Sequence, residues 1–346
     1  MSETSSHALY RKYRPAKFSD VIGQEHVVKV LEAESMSGDI SHAYLFAGTR
    51  GTGKTSVARI FAHAIGTSKN DIYEIDSASN TSVDDIRQLN ESVFTLPFES
   101  KYKVYILDEV HMLSKSASNA LLKTLEEPPS HVVFILATTE THKIPETVLS
   151  RCEVFTFKKP SIEVLKKVVT STAKKEGSAI DDASAELIAL LGDGSFRDTL
   201  GIVQKVLAFA GGKRISEEQV RLVTGAPAVE LVHDVVASIS RKDLELGLAA
   251  VKKAVSQNID MSVFLKLILH TARAVLLVRF GATSGVKDEL SENELAFVTE
   301  LAKGETEFSS RTLVELLTAY EQTGGAYIPQ LPLELALINI SKSENK

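Results

Sequence analysis

The sequence contains few of the residues that build disulfides, zinc sites and aromatic clusters. One of its 346 residues is cysteine, none is tryptophan and 6% are aromatic. Because one cysteine can form neither an internal disulfide nor a structural zinc site, we expect a reducing compartment. No run approaches the roughly 18 apolar residues of a membrane-spanning helix, and residues 1–15 lack an apolar signal core. These absences predict a cytoplasmic protein with no membrane partner.

An excess of positive charge is also absent. The formal net charge is −6 and 44% of the residues are apolar, which is typical of a soluble globular chain. Any contact with nucleic acid must therefore come from a local basic patch. A length of 346 residues predicts two or three domains, because single hydrophobic cores stop growing at about 250–300 residues.

Short apolar segments alternate with helical patterns up to residue 157. The segments that predict strands are 43–48, 72–76, 103–108, 131–138 and 153–157. Apolar residues at helical spacing precede or separate them at 24–37, 53–65, 82–95 and 116–127. Strands that alternate with helices predict a mainly parallel sheet covered on both faces, here with five strands.

After the sequence KKP at 158–160, only helical patterns remain. A break in the pattern at 224–230 divides them into two groups. We therefore predict three domains, at 1–159, 160–225 and 226–346. The predicted helices cover 161–175, 183–191, 196–209, 216–223, 228–239, 243–255, 261–279, 291–302, 309–323 and 332–342.

A phosphate-binding motif lies between the first strand and the helix that follows it. The sequence GTRGTGKT at 48–55 fits G-x-x-x-x-G-K-[ST] in the required strand–loop–helix context. Glycines let successive backbone N–H groups face phosphate oxygens, and the helix N-terminus adds partial positive charge. Lys54 would reach the β- and γ-phosphates, and Thr55 would bind Mg²⁺. The predicted nucleotide-binding residues of this loop are Gly48, Thr49, Arg50, Gly51, Thr52, Gly53, Lys54, Thr55 and Ser56.

Two acidic residues end the third predicted strand, in VYILDEVHML at 104–113. Asp108 is placed to hold Mg²⁺ in the crevice at the carboxyl ends of the strands, and Glu109 to orient and polarise the attacking water. The alternative is that both acids simply begin a solvated loop; behind a P-loop we favour the functional interpretation. A lone loop histidine is more often structural, so His111 receives no catalytic role. The two motifs predict binding and hydrolysis of a nucleoside triphosphate, without indicating what hydrolysis drives.

Five ordered blocks of sequence resemble one known family. They occupy 10–28, 42–59, 74–87, 104–157 and 192–200, and they include YRPAKFSDVIGQ, ILDEVHML and GDGSFRDTL. Together they resemble the gamma/tau subunit family of the bacterial DNA polymerase III clamp loader, whose members are AAA+ ATPases. The sequence YIPQLPLELALINI at 327–340 also resembles the end of that family's third, oligomerising domain. The resemblance implies an AAA+ nucleotide-binding domain, a helical lid and an all-α C-terminal oligomerisation domain.

The resemblance assigns further residues to the nucleotide. It places Thr139 at the family's first sensor position, able to hydrogen-bond the γ-phosphate or the attacking water. It places Arg197 at the second sensor, where a lid helix brings a cation beside the γ-phosphate; the alternative is a solvated helix charge. The implied adenine pocket, whose alternative is a basic arm followed by a turn, comprises Tyr13, Arg14, Pro15, Val21 and Ile22.

The sequence SRC at 150–152 contains the single cysteine beside an arginine. In the resembling family this arginine acts on the nucleotide of a neighbouring subunit, which makes Arg151 a residue supplied in trans. An isolated monomer would then be a poor ATPase. A cysteine hydrolase built on Cys152 is the weaker alternative, because no histidine lies in a motif that pairs with it.

The chain also departs from the family pattern. Only residues 66–71 separate the P-loop helix from the next strand, so the family's four-cysteine zinc module is absent and no zinc is expected. Some relatives carry basic residues where this chain has Asn80 and Ser82, which weakens the case for DNA contact there. Lys123 remains a candidate DNA phosphate contact, with a solvated helix face as the equally weighted alternative. The tail by which the longer tau form reaches polymerase and helicase is not expected in this polypeptide.

The resemblance implies an ATP- and Mg²⁺-dependent motor subunit that helps to open the sliding clamp and to place it on primed DNA. Its implied partners are homologous copies, delta-type and delta-prime-type subunits, the sliding clamp and primer–template DNA. Two alternatives stay open from the sequence. One is a non-hydrolysing organiser subunit, against which the intact P-loop and acidic pair argue. The other is a different AAA+ machine such as a branch-migration motor, against which the helical pattern after residue 226 argues.

Overall fold

Five parallel strands form one sheet, as the alternating pattern predicts. In the computed structural model, which describes residues 8–79, 82–211, 214–286, 289–303 and 308–342, the strand order is β2-β3-β4-β1-β5. The strand β1, which leads into the P-loop, lies between β4 and β5, so the loop opens at the carboxyl edge of the sheet. The strands are β1 (Ala43–Ala47), β2 (Ile72–Asp76), β3 (Lys103–Asp108), β4 (Val132–Thr138) and β5 (Glu153–Thr156).

Helices cover both faces of this sheet. Side chains alternate along β1, so that Tyr44 and Phe46 join one core while Ala43 and Leu45 join the other. Burial on both faces explains why β1 and β4 are apolar along their whole length. The first core contains α2 (Glu25–Ser37) and α3 (Lys54–Ala64); the second contains α4 (Val83–Val93) and α5 (Lys115–Glu126). Two short helices that the sequence did not predict are α1 (Leu9–Lys12) and α6 (Glu146–Leu149).

After β5 the described chain is helical, which confirms the predicted fold class of a parallel α/β module with a helical lid and an all-α C-terminal region. The predicted helices agree with the observed ones to within one or two residues. They are α7 (Ile162–Lys175), α8 (Asp182–Leu191), α9 (Phe196–Ala210), α10 (Glu217–Thr224), α11 (Val229–Arg241), α12 (Leu244–Ser256), α13 (Met261–Arg279), α14 (Glu292–Lys303), α15 (Ser310–Thr323) and α16 (Leu331–Lys342).

One of these helices is an exception to the expectation that no segment resembles a membrane span. By length and composition alone α13 could cross a membrane, and α10 with α11 would pass the same test only as a bent pair. Half of the apolar stretch of α13 is buried by neighbouring parts of the protein, among them residues such as Phe264, Leu265 and Ile268. This burial is typical of the core helix of a helical domain.

Contacts divide the chain into two units. The first comprises Met1–Leu165 with Gly192–Gly201, and the second comprises Lys166–Leu191 with Ile202–Lys346. The first unit contains the sheet, the P-loop and the beginning of α9. The second contains α8, the helices α10 to α16, and most of α7 and of α9. The three domains expected at 1–159, 160–225 and 226–346 remain a prediction.

Candidate nucleotide-binding site

The P-loop turns sharply between β1 and α3, and its glycines are required by the geometry. A Cβ atom on Gly48 would lie 2.6 Å from the carbonyl oxygen of Phe157. Gly51 has φ of +76°, and a Cβ atom there would lie 2.0 Å from Oγ of Ser195. A side chain at either position would therefore meet neighbouring protein atoms, and at Gly51 the backbone is also left-handed, a conformation that favours glycine.

Lys54, the first residue of α3, is folded over the carbonyls of the loop. Its Nζ donates hydrogen bonds to the carbonyl oxygens of Gly48 at 2.7 Å and Thr49 at 2.9 Å. The residue is 6% exposed. Burial lowers the pKa of its ammonium group, while the carboxylates of Glu109 and Asp108 oppose the shift. The ammonium group is thus buried within the loop that the motif predicts to bind phosphate.

The two predicted Mg²⁺ ligands lie in contact. The hydroxyl of Thr55 donates a hydrogen bond to Oδ2 of Asp108 at 2.7 Å. A hydroxyl and a carboxylate oxygen are the hard ligands that Mg²⁺ prefers, and phosphates and water usually complete its octahedron. Among the described residues, no group of three or more His, Cys, Asp and Glu side chains could hold a metal ion. The hydroxyl and the carboxylate of this pair fit the hard-ligand chemistry of Mg²⁺.

Glu109 and Thr139, which the sequence assigned on separate grounds, are also in contact. Thr139 Oγ1 donates a hydrogen bond to Glu109 Oε2 at 3.0 Å. Glu109 has φ of 51° and its N–H donates to Oδ1 of the preceding Asp108 at 3.1 Å. A left-handed, non-glycine residue is uncommon and often marks a functional position. The imidazole of His111, 6% exposed, lies 3.4 Å from the same Glu109 oxygen, a contact that the sequence did not predict.

The beginning of α9 reaches the P-loop. The N–H of Phe196 donates to the carbonyl oxygen of Gly51 at 3.0 Å. The next residue, Arg197, is exposed, and its guanidinium lies 5.1 Å from the centre of the Tyr10 ring on α1. The structure thus places the predicted second sensor one residue from a residue that touches the P-loop. Sequence reasoning missed Tyr10, Ser195 and Phe196, although the last two stand beside Arg197 in the GSFRD block.

The predicted adenine-pocket residues occupy one continuous segment. Tyr13 closes α1, where its N–H donates to the carbonyl oxygen of Leu9. Val21 is partly buried against the sheet core, whereas Ile22 is 47% exposed. Arg14 and Pro15 lie between Tyr13 and Val21 and are half-buried.

A buried glutamine fixes the end of this segment. The side-chain amide of Gln24 donates to the carbonyl oxygen of Lys158 at 2.7 Å, and its oxygen accepts from the N–H of Lys158 at 3.0 Å. Gln24 is fully buried, so both polar atoms of its amide have partners. The segment before α2 is therefore joined to the chain that leaves β5.

Arg151 contacts a different set of residues. Its Nη1 donates to the carbonyl oxygen of Thr147 at 2.7 Å and to Oγ of Ser150 at 3.2 Å. Its Nη2 donates to Oε1 of Glu126 at 2.6 Å, and the Arg151 side chain is 33% exposed. Among the described residues these contacts do not include the P-loop of the same chain. The structure therefore does not bring Arg151 together with Lys54, Asp108 or Glu109.

Lys123 is the candidate DNA phosphate contact, and Asn80 and Ser82 stand where some relatives carry basic residues. Lys123 is exposed on α5, and no ion pair is described for it. Ser82 caps α4, since its Oγ accepts a hydrogen bond from the N–H of Asp85 at 3.2 Å. Asn80 lies outside the described residues.

Cys152 is partly buried against the core formed with α4 and α5. Burial raises the pKa of its thiol to about 12, so the thiolate that a nucleophilic cysteine requires is scarce at neutral pH. This arrangement supports the structural interpretation of Cys152 over a cysteine hydrolase.

Comparison with known proteins defines the class and then the family. RuvB of Thermotoga maritima, a Holliday junction branch migration motor, is 25% identical and superposes with a TM-score of 0.53 over 66% of this chain and 79% of RuvB. That fold, with the P-loop and the acidic end of β3, defines an AAA+ P-loop ATPase. DNA polymerase III subunit gamma of Buchnera aphidicola subsp. Baizongia pistaciae is 34% identical over 86% of either chain. The chain belongs to the DNA polymerase III subunit gamma/tau family.

Two family models match separate parts of the chain. Residues 23–80 and 66–161 match the DNA polymerase III delta subunit model, and residues 215–345 match domain III of subunits gamma and tau. DNA polymerase III subunit tau of Bacillus subtilis is 35% identical over 99% of this chain, which spans 64% of that relative. Since the match at 215–345 is to gamma and tau, the likeness to RuvB is one of fold. The family resemblance predicted from the sequence is confirmed.

Proposed function

We propose that the chain is the ATP-driven motor subunit of a clamp loader. It binds ATP with Mg²⁺, helps to open the sliding clamp and place it on primed DNA, and hydrolyses ATP when that DNA is bound. Its other partners are homologous copies and delta-type and delta-prime-type subunits. The observation that carries the proposal is the paired contact at the end of β3, where Thr55 meets Asp108 and Thr139 meets Glu109. A non-hydrolysing organiser has no need of this complete set.

The site suggests how the residues divide the work. A β- or γ-phosphate would replace the carbonyls of Gly48 and Thr49 as the partner of Lys54. Thr55 and Asp108 would hold Mg²⁺, which neutralises charge on the phosphates. Glu109 would accept a hydrogen bond from the attacking water and orient it, while Thr139 holds the Glu109 carboxylate by donating to its Oε2. Arg197 would sense the γ-phosphate from the beginning of α9.

The direct test uses the chain reconstituted with its partner subunits. ATP hydrolysis is expected to rise when sliding clamp and primed DNA are added, and Glu109→Gln is expected to abolish hydrolysis while ATP still binds. Absence of stimulation by clamp and DNA would contradict the motor role. If nucleotide titration of the purified chain detects no binding, the organiser alternative is favoured instead.

The position of Arg151 supports a role for it in a neighbouring subunit's site. Its contacts with Glu126, Thr147 and Ser150 hold a partly exposed guanidinium away from its own P-loop residues. An arginine supplied in trans commonly contributes about 10³–10⁵ to kcat. Arg151→Ala should therefore leave ATP binding intact and lower hydrolysis in the assembled complex by about a thousandfold.

A matched control is Arg87→Ala, which removes an exposed arginine whose described ion pair is with Asp84 on the same helix. Hydrolysis by this variant is expected to stay unchanged. If Arg151→Ala behaves like the control, the trans role is excluded.

An exposed apolar loop offers a surface for the sliding clamp. Phe94, Leu96 and Phe98, which define this apolar loop, are 68%, 77% and 81% exposed. Its backbone is nevertheless anchored, because N–H groups at positions 98–100 donate to the fully buried carboxylate of Asp71 at 2.5–3.0 Å. Large apolar side chains held outward on an ordered backbone are typical of a protein-binding surface.

The clamp contact is tested by Leu96→Ala with Phe98→Ala. We expect clamp-stimulated hydrolysis to be lost while hydrolysis without clamp stays the same. Met36→Ala is the control, because Met36 is 79% exposed on α2. Stimulation that survives in the double variant would assign the clamp contact elsewhere.

A further inference from the structure

His111 lies between two carboxylates that belong to different loops. It occupies a short 3-10 helix, Val110–Met112, directly after Glu109. Its Nδ1 is 3.1 Å from Thr138 Oγ1 and 3.4 Å from Glu109 Oε2. Its Nε2 is 3.4 Å from Glu140 Oε1. The ring therefore bridges the end of β3 and the end of β4, the two places from which Glu109 and Thr139 project.

The hydrogen-bonding capacity of the ring limits how it can serve both carboxylates. A neutral imidazole has one N–H group, whereas an imidazolium has two. With its N–H at Nε2 the ring faces Glu140, and Nδ1 accepts from Thr138, whose Oγ1 already accepts from the N–H of Glu140 at 3.0 Å. With its N–H at Nδ1 the ring faces Thr138 and Glu109 instead. The protons on His111 thus decide which carboxylate it engages.

Glu140 is the fixed end of this bridge. Lys143 lies 2.7 Å and His142 3.7 Å from its Oε2, and its Oε1 faces His111. A hydrogen bond from Lys143 and the nearby positive charges hold the pKa of the Glu140 carboxyl below its usual value. Glu140 therefore stays ionised, and it accepts a hydrogen bond from the ring when Nε2 carries the N–H.

Glu109 is the end that is free to act. Its side chain is 30% exposed, and its contacts with Thr139 and His111 both involve Oε2. Among the residues that the structure describes, none donates a hydrogen bond to the second oxygen, Oε1, which can accept one from water. His111 contacts Thr138 and Glu140, the residues on either side of Thr139. The ring therefore constrains both the Glu109 carboxylate and the Thr139 hydroxyl that donates to it.

We propose that His111 is a positioning residue for hydrolysis, which holds Glu109 in place and ties it to the Thr138–Glu140 segment so that Glu109 and Thr139 keep a common orientation. The inference rests on the proposed ATPase function and assigns His111 no contact with substrate. Its effect should appear in kcat rather than in ATP affinity, since none of the contacts described for the ring involves a P-loop residue.

The test compares His111→Ala, His111→Asn and His111→Gln in the reconstituted complex with clamp and primed DNA. The asparagine amide lies near the position of Nδ1 and the glutamine amide near that of Nε2. We expect His111→Ala to lower kcat by about 10–100-fold, the range found when supporting residues of a reactive site are removed. The Kd for ATP should change less than about threefold, within the scatter of a single weak contact.

The two amide variants separate positioning from packing. His111→Asn keeps a polar group toward Thr138 and Glu109 and should recover most of kcat, whereas His111→Gln should recover much less. His142→Ala is the control, because this neighbouring histidine is 77% exposed and its described ion pair is with Oε2 of Glu140, whereas His111 faces Oε1. It should leave kcat unchanged.

The outcomes distinguish this inference from the proposed function. If kcat is unchanged in His111→Ala while Glu109→Gln abolishes hydrolysis, the role of His111 is refuted and the ATPase function stands. If the alanine, asparagine and glutamine variants lose kcat and ATP affinity together, His111 acts through packing and the inference is also refuted. If Glu109→Gln hydrolyses ATP normally, the proposed role of Glu109 is wrong and the inference falls with it.

Discussion

Gly51 occupies a position where the P-loop motif accepts any residue, yet the structure requires glycine there. Its φ is +76°, and a Cβ atom would lie 2.0 Å from Oγ, 2.8 Å from Cβ and 3.3 Å from Cα of Ser195. Rotation of the serine hydroxyl alone would not relieve these contacts, because the serine Cβ and Cα are also too close. Gly51→Ala must therefore displace Ser195, whose Oγ caps α9 by accepting from the N–H of Asp198 at 3.1 Å.

The size of the effect follows from two contributions. A left-handed conformation costs an L-residue about 1–2 kcal/mol. Forcing an extra methyl group into a packed contact costs about 1–3 kcal/mol more. We therefore expect Gly51→Ala to lower the free energy of unfolding of the first unit by about 2–5 kcal/mol. ATP affinity should fall as well, because α9 begins beside Gly51 and carries Arg197.

Urea unfolding followed by circular dichroism measures the stability, and titration with a fluorescent ATP analogue measures the affinity. Gly38→Ala is the matched control, since Gly38 has φ of +77° with no atom within 4 Å of its added Cβ. This control should lose only the conformational contribution of about 1–2 kcal/mol. Ser195→Gly combined with Gly51→Ala should recover most of the contact contribution, because it removes the two nearest atoms, Oγ and Cβ. Its own cost is a few tenths of a kcal/mol, roughly that of replacing a serine cap by glycine. Equal losses in Gly51→Ala and Gly38→Ala would refute the steric reasoning.

Three further predictions follow from other contacts. Thr55→Val removes the hydroxyl that donates to Asp108 and should abolish Mg²⁺-dependent hydrolysis. Nucleotide should still bind without metal, which titrations with and without chelator would measure. Unchanged Mg²⁺-dependent hydrolysis would exclude Thr55 as a Mg²⁺ ligand. Burial opposes ionisation of Asp71, but hydrogen bonds from the N–H groups of residues 98–100 outweigh burial and hold the pKa of its carboxyl below the usual value. The ionised carboxylate therefore stabilises the folded protein fully above about pH 4, and this stabilisation is lost as the pH falls below the ordinary carboxyl range. Asp71→Asn should lower the free energy of unfolding at pH 7 by about 3 kcal/mol. Urea titrations of this variant should also show a weaker fall of that free energy at acid pH, and an unchanged fall would contradict the role of Asp71. Because burial raises the pKa of Cys152 to about 12, iodoacetamide should modify it at pH 8 far more slowly than a cysteine in a short peptide, and Cys152→Ala should keep full ATPase activity; rapid alkylation would show that the thiol is accessible.

The strands and long helices could be predicted from the sequence because each carries a strong local signal. β1 and β4 are buried along their whole length and appear as uninterrupted apolar runs. In α4 and α10, serine caps at Ser82 and Ser216 mark the start. The helices α1 and α6 have four residues each, too few to show a helical period.

The candidate site was only partly predictable. The P-loop and the acidic pair were visible because their residues are adjacent in sequence, and the structure brings Thr55 to Asp108 and Glu109 to Thr139. Their catalytic roles remain proposals. The contact of Gly51 with Ser195 joins residues 144 positions apart, and no local pattern encodes it. The bridge made by His111 was missed for a related reason, since its partners Thr138 and Glu140 lie on a distant strand end.

The division of the chain into two units has a consequence for synthesis on the ribosome. The long segment of the first unit ends at Leu165, but the unit also includes Gly192–Gly201. The ribosome must add 36 residues after Leu165, counted from 165 to 201, to reach Gly201. At a translation rate of about 5–20 residues per second, the delay is about 2–7 s. During that interval the sheet and P-loop can form while Ser195, Phe196 and Arg197 are still being made. A nascent chain should therefore acquire its completed nucleotide site later than its sheet, and a fragment stopped at residue 165 would lack the piece of α9 that rests on Gly51.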